Sequence, residues 1–100
     1  MELDLYQIGK DSFERVDNSM KFVSDFSSQK IKKEYKILIE DLYNRYGDGV
    51  FTGFYFALSK KLTESYMNFN KYGDLGRYSF LEEEFKMNYK NITGKDFGEF

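Results

Sequence analysis

The chain has 100 residues, 41% of them hydrophobic and 32% charged, with a net charge of -2. That length suits one domain with a real core, the apolar content excludes general disorder, and the near-balanced charge argues against both a basic nucleic-acid binder and an acidic DNA mimic. Twenty residues are Phe or Tyr, while His, Cys, Pro and Trp are absent and Ala57 is the sole alanine. The commonest acid/base at neutral pH and the commonest soft nucleophile are therefore missing. What remains is an aromatic contact inventory among Lys, Glu, Asp and Asn, suited to packing and binding. No cofactor, metal site or catalytic set is expected, and the absence of cysteine fits a reducing cytoplasm. The wealth of Phe, Tyr, Ile, Asn and Lys matches AT-rich codons, which suggests a phage, plasmid or AT-rich bacterial origin.

Met1 is followed by Glu2 and Asp4, which is no signal-peptide pattern. The most apolar stretch, Val50 to Leu58, falls well short of the ~20 residues that span a bilayer. Glycines at 9, 47, 49, 73, 76, 94 and 98 punctuate the chain into segments of helical period. Met1 to Ile8 reads as a short strand or packed arm. A first helix is predicted from Asp11, where Asp11 and Glu14 have capping-box spacing, with Phe13, Val16, Met20, Val23 and Phe26 inward. A second starts near Ser28, carries Ile31, Tyr35, Leu38, Leu42 and Tyr46 on one face, and ends at Gly47 in a left-handed cap. A third runs from about Thr52 to Lys71 with Phe51, Tyr55, Leu58, Leu62, Tyr66 and Phe69 on one side. Val50 to Phe56 is also good strand composition. The fourth is expected from the capping box Ser79–Glu82, with Glu82, Glu83 and Glu84 on the positive end of its dipole and Leu81, Phe85, Tyr89 and Ile92 inward, until Gly94.

This order predicts an all-α fold, a single domain over residues 1–100 built as a small antiparallel bundle of about four helices. The alternative is an α+β winged helix, which needs residues 87–100 to form a hairpin.

Several motifs dissolve on inspection. Gly47 to Gly53 lacks the Gly-Lys-Ser/Thr ending of a phosphate loop, and Asp96-Phe97-Gly98 has no other kinase motif beside it. Consecutive glutamates on a helix point ~100° apart, so Glu82 to Glu84 cannot converge on one cation. Lys30, Lys32, Lys33 and Lys36 crowd the start of the second helix, with Lys60 and Lys61 on the third. They would contact phosphates if the two formed a helix-turn-helix, although their interleaved acids also describe a solvated face. The segment Tyr66 to Tyr78 mixes aromatic, amide and cationic groups most densely. Tyr66, Asn70, Tyr72, Arg77 and Tyr78 are the candidate partner contacts, since Tyr and Arg are enriched at binding hot spots.

The functional expectation is a non-enzymatic protein-binding module, a stoichiometric inhibitor or immunity or anti-defence (anti-CRISPR-type) protein, with no membrane role. The surplus of aromatics equally fits a homodimer seam. The alternative is a small DNA-binding accessory or regulatory protein, with Lys30, Lys32, Lys33, Lys60 and Lys61 on the backbone.

Overall fold

The computed structural model describes all residues except 1, 22, 24, 69–71 and 99–100, and at Tyr72 the backbone alone. Four helices account for nearly all of it, with no strand among the described residues: α1 Leu5–Met20, α2 Gln29–Tyr46, α3 Gly49–Met67 and α4 Tyr72–Thr93. The winged-helix alternative is thereby overturned, because α4 continues to Thr93 where a hairpin was required.

Helix α1 begins six residues before the expected Asp11 start, so Leu5 to Ile8 of the supposed strand or arm are its first turn. The operative cap is Asp4, whose carboxylate accepts a hydrogen bond from the Gln7 amide at 3.1 Å. Gly9 therefore sits inside a helix, and its neighbours explain why. A Cβ there would strike the Val50 carbonyl and the Phe54 amide of α3, and one at Gly53 would strike the Tyr6 carbonyl of α1. Leu5 closes on Gly49 at the same seam. The two helices run in the same direction with backbone nearly touching backbone, which glycine alone permits.

Helix α2 keeps its expected bounds. The Ser28 hydroxyl accepts from the Ile31 amide at 3.3 Å, and Gly47, at φ 75°, donates to the Tyr43 carbonyl at 2.8 Å. A two-residue turn leads into α3, and Val50 to Phe56 is helical. Val50, Phe51, Phe54 and Leu58 are all fully buried, a spacing of one, four and eight that no alternating strand can produce. Tyr35 meets Phe54 and Tyr43 meets Phe51, so α2 and α3 run antiparallel.

Helix α4 begins a full two turns before Ser79, so Glu82, Glu83 and Glu84 lie mid-helix rather than at its positive end. Glu84 is buried with Lys32 3.7 Å away, and Glu82 accepts a hydrogen bond from the Tyr55 hydroxyl at 3.1 Å. Leu81, Phe85 and Tyr89 face inward as expected. Phe85 stacks on Phe54 at 5.2 Å between ring centroids and meets Phe51 edge-on at 5.9 Å. Gly94, at φ 77°, ends the helix. The chain then returns Phe97 onto Tyr55, Phe85 and Tyr89 at 4.8 to 5.2 Å.

Candidate functional site

Helix α4's early start decides the fate of the residues expected to meet a partner. Tyr78 falls in the second turn and points inward, 6% exposed, its hydroxyl donating to the buried Asp17 carboxylate of α1 at 2.8 Å. Burial, reinforced by that bond to an anion, pushes the Tyr78 hydroxyl from 10.0 to about 12. Arg77 donates to the Met20 carbonyl at 3.3 Å and to Asp74 at 3.4 Å, with its guanidinium over the rings of Tyr78 and Phe26. Both residues join α4 to the end of α1, so these two candidate partner contacts are engaged within the fold. Tyr66 does stand in solvent, 69% exposed. Asn70 and the Tyr72 side chain lie outside the described residues.

The expected lysines divide between two places. Lys30 and Lys33 are exposed on α2, while Lys32 spans to Glu84 of α4 and lies 5.9 Å from the centre of the Phe80 ring. Lys60 and Lys61 border a shallow groove between α3 and α1 with Lys10, Glu14 and Glu64, and Lys61 pairs with Glu64 at 3.9 Å. Acids stand among both sets; Lys36, for instance, pairs with Glu40.

Beside that groove lies a feature that sequence reasoning missed. Tyr6 of α1 and Phe56 of α3 face each other at 5.7 Å between ring centroids, 38% and 51% exposed. The Lys10 ammonium sits 5.6 Å from one ring centre and 5.9 Å from the other, the geometry of a cation–π contact. The glycine seam fixes this pair, because the Tyr6 carbonyl lies against Gly53, one turn before Phe56. Phe56 was visible as an aromatic off the core stripe. Tyr6 was hidden once residues 1–8 were read as an arm.

Helix α3 carries the rest of this surface. Its inner faces meet the other three helices, and its outer face presents Thr52, Phe56, Ser59, Lys60, Thr63, Tyr66 and Met67. Lys60 is the charge in that set, and Lys61 and the exposed Glu64 flank it on the side of the α1 groove.

The other sizeable opening is a cleft of about 690 Å³ at the start of α3, bordered by Asp48, Thr52, Tyr89, Lys95 and Phe97. Burial, then the nearby Asp48 charge, raises the Tyr89 hydroxyl above its ordinary range, and Lys95 lies 4.0 Å from Asp48. A tyrosine held protonated and a lysine beside a carboxylate form no nucleophile-and-base pair. Among the described residues no three acids converge as metal ligands, and no helix is long and apolar enough to cross a membrane.

No family model, curated protein or solved structure matches this chain.

Proposed function

We propose that the protein is a non-enzymatic binding module for another protein, docking through Tyr6, Lys10 and Phe56 and the outer face of α3. The observation that carries this reading is the solvent-facing aromatic pair, capped by a lysine and held on two helices that touch through glycine. Such rings lose little conformational freedom on binding, so more of their contact area becomes affinity. Charge of both signs around them favours a protein partner over a phosphate backbone, which is met by unbroken positive charge. Within that class our reading is a stoichiometric inhibitor of the immunity or anti-defence type, acting by occlusion in a cytoplasm of AT-rich genome. Its support is the exposed aromatic pair set among charges of both signs, and the class itself is an analogy of type.

The test is affinity capture from an AT-rich bacterial lysate, with and without nuclease, using the wild type beside a Tyr6→Ala/Phe56→Ala variant. One protein held stoichiometrically by the wild type, resistant to nuclease and lost in the variant, supports the reading. Capture of nucleic acid, with protein partners lost on nuclease treatment, overturns it and moves Lys30, Lys32, Lys33, Lys60 and Lys61 to the centre.

A further inference from the structure

We infer that the groove between α1 and α3 takes an acidic segment of the partner protein, one apolar side chain entering it and a neighbouring carboxylate meeting Lys10 and Lys60. The inference rests on the protein-binding reading above and names the chemistry that the site selects. The two helices touch at Gly9 and Gly53, where backbone meets backbone. One turn on from those glycines lie Phe13 and Ala57, and there the gap becomes a groove of about 190 Å³ that Phe56 also borders. Phe13 is 1% exposed and packs edge-on against Phe54, so this part of the lining is apolar and held by the core. Ala57, the sole alanine of the chain, is half-buried, and a longer side chain there would reach into the opening.

The charges around the groove decide what kind of segment fits. Lys10, Lys60 and Lys61 border it against Glu14 and Glu64. Lys61 and Glu64 pair with each other at 3.9 Å. Among the described residues neither Lys10 nor Lys60 has an ion-pair partner. Glu14 stands one turn on from Lys10 in the same helix, yet the Lys10 ammonium lies against the rings of Tyr6 and Phe56, 5.6 and 5.9 Å from their centres. Two cations are thus left to one carboxylate around an apolar opening. An incoming carboxylate gains from both ammoniums, whereas an incoming cation meets two like charges for one opposite. An uncharged segment would cover Lys10 and Lys60 and supply no counter-charge. A nucleic-acid backbone is anionic too, but it brings no apolar side chain to set on Phe13 and Ala57.

The probes are the capped peptide Glu-Glu-Phe-Glu-Glu and its counterparts with Gln or Lys in place of every Glu. Each is titrated to about 10 mM, a range that catches even weak binding, and followed through the backbone amide shifts of the isotope-labelled protein. The acidic peptide should move the amides of Lys10, Phe13, Phe56, Ala57 and Lys60. It should bind about threefold or more tighter than the Gln peptide, the scale on which exposed charge pairs contribute, with the Lys peptide weakest. Lys10→Ala/Lys60→Ala should abolish the preference for acid and leave the Gln peptide's affinity as it was, a selective change that misfolding does not produce. Ala57→Leu should close the groove to all the peptides while the helical circular dichroism is retained. Equal or tighter binding of the Lys peptide, shifts confined to other surfaces, or no shift with the acidic peptide overturns the inference. So does a partner captured from lysate that is lost by Tyr6→Ala/Phe56→Ala yet kept by Lys10→Glu/Lys60→Glu, an outcome that leaves the binding module standing. Acid-selective peptide binding by a protein that captures nothing from lysate does the reverse.

Discussion

Helix α3 meets its neighbours through two contacts of opposite construction. Towards α1 it offers Gly49, Gly53 and Ala57, and the helices approach until Cβ atoms would collide with carbonyls. Towards α4 it offers Phe51, Phe54 and Tyr55, and the space between is filled by Phe85, Tyr89 and the returning Phe97. One contact is made by removing side chains and the other by enlarging them. A seam of the first kind cannot accept an added methyl, whereas a seam of the second kind cannot lose a ring.

The largest expected effect lies at the aromatic seam. Phe85→Ala opens a cavity among Phe51, Phe54 and Phe97 and should cost about 3–5 kcal/mol, read from denaturant unfolding. A smaller loss would mean that Phe97 swings in to fill the space, making the seam more adaptable than its packing suggests. At the glycine seam, Gly53→Ala should destabilise by about 1–3 kcal/mol, because the new Cβ must displace the Tyr6 carbonyl. The sign is the sharp part, since a helix by itself prefers Ala to Gly by ~1 kcal/mol. A stabilised variant would break the comparison outright.

Asp17 and Tyr78 supply a third kind of contact, polar and buried, between α1 and α4. Tyr78→Phe leaves the Asp17 carboxylate without this donor and should cost about 1–3 kcal/mol. Burial of the Tyr78 hydroxyl, and after it this bond, sets an alkaline limit. A tyrosine whose folded value is raised to about 12 from 10.0 contributes stability that is intact below the unfolded value and is lost as pH climbs through that interval. Unfolding midpoints followed from pH 9 to 12 should fall more steeply in the wild type than in the Phe variant; parallel curves would remove Tyr78 as the cause. The smallest effect is the counterpart of the glycine seam. Gly76 is also helical, but an added methyl there would meet nothing within 4 Å, so Gly76→Ala should stabilise by about 0.5–1 kcal/mol.

These glycines also show what was legible in the sequence. The all-α class, the bounds of α2, the stop at Gly94 and the inward set Leu81, Phe85 and Tyr89 all follow from apolar period and local capping, and such signals need only a few neighbouring residues. Gly9 and Gly76 both read as punctuation, yet Gly9 marks a helix crossing and Gly76 an exposed helical position. Nothing local separates those two uses from a turn, because the atoms that give Gly9 its purpose belong to residues far along the chain. The same shortfall hid the Tyr6–Phe56 pair and put Tyr78 on the outside. Ser79 and Glu82 have capping-box spacing, but a helix already under way from Tyr72 leaves them no terminus to cap. Helix α3 resisted reading for another reason: it is apolar on several sides, and period alone does not tell the three faces covered by neighbours from the one left open.

The glycine crossing bears on the order in which the chain can be made. Gly53 is translated about forty residues after Gly9, which at ~5–20 residues per second is a wait of several seconds. Through that interval α1 carries Phe13, Val16 and Met20 with no α3 to cover them, and Gly9 weakens it as a free-standing helix. The segment that ends in a backbone-to-backbone contact thus begins uncovered, and its protection depends on how soon α3 leaves the ribosome.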